Sequence, residues 1–289
     1  MPTLIVYRNG ATAHQATSHP VKGGPRGETK GWTPAVANRQ RKWLWGVDPD
    51  NLSDVGISVT LTVKDCPPDS EIWSRMRRAW LKRIGRRWNV IRAHWVTEWQ
   101  ARGVPHMHAA VYIGQPEFSA SGGRGSALQE QSTPDSMTPA LLAVEWLLVC
   151  DAFGMEAGLQ GQDAKPIDGA LGWLKYLSKH ASRGANHYQR TGHPDGWNKT
   201  GRMWGHTGEW PTIEPIVLPD LAPHEFYRIR RINRRWAEAE AKKSKDWARL
   251  AYLRRSAARH DKKTSRVIAS SEWIPESETL RLIDYLERE

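Results

Sequence analysis

The chain has 289 residues, a formal net charge of +11 and an isoelectric point near 9.8. That length buries one substantial core with a smaller appendage, and the charge calls for a polyanionic partner without choosing between DNA, RNA and an acidic membrane. Two cysteines, Cys66 and Cys150, exclude a disulfide scaffold, and no apolar run approaches the roughly 20 residues that span a bilayer.

The opening Met1 to Arg8 is too short in apolar residues for a signal peptide, so the expected location is the cytoplasm, with no membrane partner. Sixteen tryptophans stand against three phenylalanines; indoles either fill core space or stack on unpaired bases, and composition does not choose. Residues 1–50 carry glycines, prolines and scattered basic side chains (Lys22, Arg26, Lys30, Arg39, Arg41, Lys42) with little periodicity. A basic, largely irregular N-terminal segment is expected there.

Regular structure begins at Gly56. Ile57, Val59, Leu61 and Val63 alternate with Ser58, Thr60 and Thr62, a strand signal. Asp69-Ser70 offers a helix cap, and Ile72, Trp73, Met76, Trp80, Ile84 and Trp88 follow at helical spacing. The opposite side bears Arg75, Arg78, Lys82 and Arg86, either a solvated stripe or a track for a DNA backbone.

Residues 95–112 read as two strands joined at Arg102-Gly103. Side chains alternate between faces of a strand, so His106 and His108 point the same way, about 7 Å apart, with Met107 opposite. If the strands pair as a hairpin, Glu98 joins them in a His-His-carboxylate set with positions left for water or a phosphate oxygen. The competing reading is two polar residues on a half-exposed strand. Metallo-β-lactamase and cupin patterns fit poorly, because Ala110 and the run Val111-Tyr112-Ile113 stand where each wants a carboxylate.

A Gly/Ser/Gln-rich interval to about Ser136 reads as a flexible insertion. Thr138-Pro139 opens a helix carrying Leu142, Trp146, Val149 and Phe153, and an outer strand is expected within 154–167. Asp168 is placed to cap a further helix with Leu171, Leu174 and Leu177 as its buried stripe, on which Tyr176 and Lys179 are neighbours. The order strand, helix, strand, strand, helix, strand predicts an α+β fold of ferredoxin-like, split βαβ type, an antiparallel sheet with helices on one face. His187, His193 and His206 lie in a Gly/Trp-rich stretch with no cysteine and no tight ligand pair, a poor zinc signature. From His224 to Lys263 a basic helical run that includes Arg230, Arg231, Arg234 and Arg235 is either a DNA-binding arm or a solvated extension. The expected organisation is 1–50 basic and largely irregular, 51–212 one α+β domain carrying the histidine and tyrosine motifs, and 213–289 a basic helical C-terminal extension.

Three motifs carry a resemblance: Val59-Thr60-Leu61-Thr62, then Glu98 with Gly103 and His106-Met107-His108, then Tyr176-Leu177-Ser178-Lys179-His180. In this order, over about 130 residues, the chain resembles the HUH endonucleases, and among them rolling-circle replication initiators related to the gene II proteins of filamentous phages. Arg202-Met203-Trp204-Gly205 resembles an element of the same relatives. His180 stands where many relatives have a second aromatic residue, so a single catalytic tyrosine is expected.

The resemblance implies Mg²⁺ or Mn²⁺ held by His106, His108 and Glu98. It makes Tyr176 the nucleophile that keeps a 5′-phosphate on the enzyme, and gives Lys179 the developing charge to stabilise. The implied partners are a single-stranded or supercoiled DNA origin and, with no ATPase signature in the chain, a host helicase and polymerase in the cytoplasm of the host. A plasmid relaxase or single-tyrosine transposase shares these motifs, and a non-catalytic basic DNA-binding protein is the reading outside enzymes.

Overall fold

The computed structural model describes residues 2–15, 31–52, 55–114, 138–169, 171–174, 177, 188–194, 196–258, 269–273 and 276–288. In chain order the elements begin with strands β1 (Pro2–Tyr7) and β2 (Gly10–Gln15), helix α1 (Pro34–Gly46), β3 (Val55–Thr62) and α2 (Ser70–Arg87). There follow β4 (Val90–Trp99), β5 (Pro105–Ile113), α3 (Thr138–Ala152), β6 (Asp163–Pro166) and β7 (Trp204–Gly208). The last are β8 (Ile216–Leu218), α4 (Pro223–Lys243), α5 (Trp247–Ala258), β9 (Ala269–Trp273) and α6 (Glu276–Glu287). They form two units: Pro25–Gln40 with Pro49–Trp210, and Met1–Gly24 with Arg41–Asp48 and Pro211–Glu289.

The first unit is built on a five-stranded antiparallel sheet of order β6-β3-β5-β4-β7. Strict alternation sends Ile57, Val59 and Leu61 of β3 and Met107, Ala109 and Val111 of β5 to one face, where all are buried. Helix α2 starts where expected: Asp69 accepts from the Ile72 amide at 2.8 Å, satisfying one of the helix's free N–H groups. Its tryptophans seat it on the sheet. The Trp73 indole donates to Thr97 Oγ1 at 3.1 Å, and Trp80 donates to the Leu142 carbonyl of α3 at 3.0 Å. Trp146 of α3 donates to the Thr62 carbonyl at 2.8 Å and meets Trp73 edge-on. Trp73, Trp80 and Trp146 are thereby core, and eight of the sixteen indoles are buried among the described residues.

Glu145, which interrupts the greasy face of α3, is itself buried, and its two oxygens take Arg83 at 2.7 Å and Arg87 at 2.5 Å from α2. Burial raises its carboxyl pKa, but the two guanidiniums outweigh that and hold it below the usual range. The sheet ends at β7, where Gly208 has φ +73 and a Cβ would fall 1.9 Å from the Ile91 carbonyl oxygen. Only glycine fits there.

The second unit has a four-stranded antiparallel sheet of order β8-β1-β2-β9. Leu4, Val6, Ala11 and Ala13 form one core with Leu221, Phe226 and Ile229, the last two on α4. Asn9 turns the β1–β2 hairpin by donating to the carbonyls of Trp45 and Val47. A Cβ on Gly10 would lie 2.3 Å from the buried Trp45 ring, so glycine makes room for that indole.

Two expectations are corrected. The described part of residues 1–50 is mostly regular, holding β1, β2 and α1. Residues 213–289 are not a purely helical extension, since β8 and β9 flank the β1–β2 hairpin. Both errors have one cause. Small residues such as Ala11 and Ala13 give a faint alternation, and the pairing partners lie 210 to 263 residues away. The insertion expected up to Ser136 lies outside the described residues. Among the described residues no helix is long and apolar enough to cross a membrane.

Candidate metal centre

The face of the five-stranded sheet opposite α2 carries the site. β4 and β5 pair antiparallel with Glu98 directly across from His106 and Val96 across from His108, so all three polar side chains emerge on one side. Glu98 is fully buried, and His106 and His108 nearly so. The two Nε2 atoms stand 2.9 Å apart with rings nearly perpendicular, and His108 Nε2 lies 3.8 Å from Glu98 Oε2. One donor atom from each of the three falls within 4.8 Å of the others.

Two imidazole nitrogens and a carboxylate oxygen converging on one point suit a divalent cation. Three protein ligands leave positions for other oxygens, as at catalytic rather than closed sites. Thr60 on β3 sits opposite His108, and its Oγ1 is 2.9 Å from His108 Nδ1. With Nδ1 protonated and donating to that hydroxyl oxygen, Nε2 presents its lone pair to the centre, the outer-shell arrangement usual for metal-bound histidine.

The end of β3 is held beside the ligands. Arg102, in the β4–β5 turn, donates to the Val63 carbonyl at 2.7 Å and also to that of Lys64, while Gln162 accepts from the Thr62 amide at 2.8 Å. Further along the same face His94 pairs across to His206, among Trp204, Trp210 and Tyr112. Burial, with a smaller contribution from His206, drives the His94 pKa down to about 3, so its ring is neutral at ordinary pH. Burial and then Arg202 lower that of His206.

The remaining expected residues fall as follows. Tyr176 and Lys179 lie outside the described residues. Ahead of them residues 171–174 are helical, with Leu174 and Leu177 buried but Leu171 exposed, so the apolar stripe begins a turn later than expected. Arg75, Arg78, Lys82 and Arg86 are exposed on α2; Arg78 bonds Glu71 at 3.0 Å and Arg75 lies over the Phe153 ring. On α4, Arg231, Arg234 and Arg235 are exposed and Arg230 is half-buried near the rings of Phe226 and Tyr227. His187 lies outside the described residues, and His193 packs against Trp99. Among the described residues the group able to hold an ion is Glu98, His106 and His108.

Sequence reading attached no role to His94, Thr60 or Arg77. The register of β3 against β5 was the signal for Thr60, since alternation places it on the face of the histidines.

Residues 56–150 match the family described as replication-associated protein ORF2/G2P. The replication-associated protein G2P of Pseudomonas phage Pf3 is 37% identical over 99% of this chain and 97% of its own length. Two Xylella fastidiosa chains assigned to replication are also similar: that of strain 9a5c is 40% identical over 95% of this chain and 93% of its own. That of strain Temecula1 is 38% identical over 94% and 99%. No solved structure matches. With relatives of this identity matched over nearly their whole length, the chain belongs to the G2P family of replication-associated proteins, the family of filamentous phage Pf3.

Proposed function

We propose that the chain is a metal-dependent, site-specific single-strand DNA endonuclease and strand-transfer enzyme that initiates rolling-circle replication. The observation that carries this reading is the convergence of Glu98, His106 and His108 on one buried point in a member of a replication-associated family. The run β3-α2-β4-β5-α3-β6 with sheet order β6-β3-β5-β4 supports a ferredoxin-like assignment for this unit, with β7 added at its edge.

Mg²⁺ or Mn²⁺ is the cation of this reading; when bound, it polarises the scissile phosphate and offsets its negative charge. Glu98, His106 and His108 hold it, and Thr60 orients His108. Tyr176 is the nucleophile. Its phenol oxygen forms a bond to phosphorus as the bond to the 3′ oxygen breaks, leaving a 5′-phosphotyrosine and a free 3′-hydroxyl that serves as a primer. Because the ester keeps the energy of the broken linkage, a later 3′-hydroxyl can reverse the step and reseal the strand. Lys179, three residues on in sequence, stabilises the charge that develops. Arg75, Arg78, Lys82 and Arg86 of α2 and Arg230, Arg231, Arg234 and Arg235 of α4 contact the backbone of the origin DNA. Strand separation and synthesis fall to a host helicase and polymerase in the host cytoplasm.

The test separates binding from chemistry. Tyr176→Phe retains DNA affinity and gives no covalent protein–DNA adduct on a denaturing gel; an undiminished adduct removes Tyr176 from the role. Replacing His106 and His108 with alanine abolishes nicking that a chelator also abolishes, and full activity in that variant rejects the metal assignment.

A further inference from the structure

Arg77 is the anomaly of helix α2. Its neighbours Arg75 and Arg78 are exposed, yet Arg77 is only 5% exposed and its guanidinium lies 3.6 Å over the Trp95 ring. A ring face satisfies the plane of a guanidinium and offers no acceptor to its five N–H groups. Arg77 has neither a hydrogen bond nor an ion pair among the described residues, and its Nη1 is buried without a partner. A buried cation left in this state is costly.

Its surroundings supply further donors, and the acid that acts on it, Glu71, makes no hydrogen bond or ion pair with it. Ser70 and Ser74 lie seven and three residues earlier on the same helix, therefore on the same side, and both are largely buried. Gly201 packs against them: a Cβ there would stand 3.4 Å from Ser74 Oγ and 4.0 Å from Ser70 Oγ. The next residue, Arg202, is exposed and opens the segment that leads into β7. Glu71, the acid nearest in sequence, already accepts from Arg78 at 3.0 Å. Burial, then the charges of Arg78 and Arg202, bring the Arg77 pKa down to about 9 against a smaller opposing pull from Glu71, which agrees with guanidiniums gathered with too little negative charge beside them.

We propose that Arg77, Arg202, Ser70 and Ser74 form a crevice that holds one phosphodiester of the DNA strand, on the α2 side of the sheet. Two guanidiniums and two hydroxyls match the oxygens of a phosphate, and arginine's fork binds them in pairs. The occupant is a strand rather than free phosphate because Arg75, Arg78, Lys82 and Arg86 continue the positive charge along the same helix. Trp95, under Arg77, is three residues from Glu98 on β4 and faces the other way, so a strand that reaches the metal centre passes over the β7 edge to enter the crevice. This rests on the reading of the chain as a DNA-nicking protein and gives the Arg202 motif a role in it.

Single-stranded oligonucleotide binding to the full chain, measured by fluorescence anisotropy across a salt series, tests it. Arg77→Met and Arg202→Met each weaken binding about tenfold and flatten the log–log salt dependence by about 0.7, the value for one single-strand phosphate contact. Because both side chains grip one phosphate, the double variant loses that slope once and not twice. Wild-type slopes in both variants overturn the proposal, and Arg202, being exposed, can be replaced without risk to the fold. An inorganic-phosphate arm distinguishes the source. A rise in melting temperature specific to phosphate, absent from Arg77→Met and accompanied by unchanged DNA slopes, also overturns the strand as occupant. Adduct formation by Tyr176 is scored separately, so the crevice and the nicking reading fail independently.

Discussion

Thr60→Val is the sharpest probe of the centre, because it alters a neighbour of the ligands and leaves all three in place. Valine keeps the shape and strand preference of threonine but removes the Oγ1 that stands 2.9 Å from His108 Nδ1. Loss of such an outer partner weakens metal affinity about 10- to 100-fold. At a metal concentration of about 100 times the parent dissociation constant, binding stabilises the parent by about 2.7 kcal/mol. The same concentration is then about 1 to 10 times the variant's constant, and by the same relation the stabilisation falls to roughly 0.4–1.4 kcal/mol. For a chain of this size the deficit of about 1.3–2.3 kcal/mol lowers the metal-loaded melting temperature by roughly 3–8 °C. Without metal the variant also melts somewhat lower, since His108 Nδ1 loses its partner, so the effect on the ion is read as the extra shift that metal brings beyond the metal-free difference. Calorimetric titration with Mn²⁺ gives the affinities, and circular dichroism melts with and without chelator give the shifts. A variant that binds Mn²⁺ within about twofold of the parent refutes the claim that Thr60 orients His108 for an ion.

Two further outcomes follow from buried charge. The Glu145 carboxylate is buried while Arg83 and Arg87 are about half exposed, so removing the two cations is far worse than removing the anion. Arg83→Met with Arg87→Met strands a buried carboxylate at about 3–5 kcal/mol in urea unfolding, whereas Glu145→Gln leaves guanidiniums that water can reach and costs clearly less; equal losses contradict this. His94 makes stability pH-dependent in the acid range. Its ordinary pKa of 6.5 drops to about 3 in the fold, so below pH 6.5 the unfolded chain takes up a proton that the folded chain refuses. Stability present above pH 6.5 is lost as the pH falls, by about 2 kcal/mol between pH 7 and pH 5, and His94→Gln flattens this part of the pH profile. An unchanged slope in that variant assigns the acid sensitivity elsewhere.

The segment from β3 through α3 was legible because its signals are local and strong. Ile57, Val59, Leu61 and Val63 keep a period of two, and Trp73, Met76, Trp80 and Ile84 keep the helical one, so face and register followed directly. The Glu98–His106 pairing needed one further step, a tight hairpin, which Gly103 at φ +77 supports. Distance in sequence hid the second sheet, in which β2 carries small residues and the outer strands are only three to five residues long. Charge hid Arg77 and Glu145. Inside a run of arginines Arg77 looks like one more solvated cation, and Glu145 looks like a break in an apolar face; only packing shows that one lies under the helix and that the other neutralises its neighbours.

All three candidate ligands come from residues 98–108, two adjacent strands and the turn between them. Closing so short a loop costs little chain entropy, so the ligand set can assemble as soon as the hairpin does, ahead of the helices that cover its other side. A slip of one residue between the strands would turn Glu98 away from both imidazoles. An ion bound there would therefore gauge correct alignment during folding, fastening the one pairing in which the face of the candidate centre and the face that meets α2 are both correctly populated.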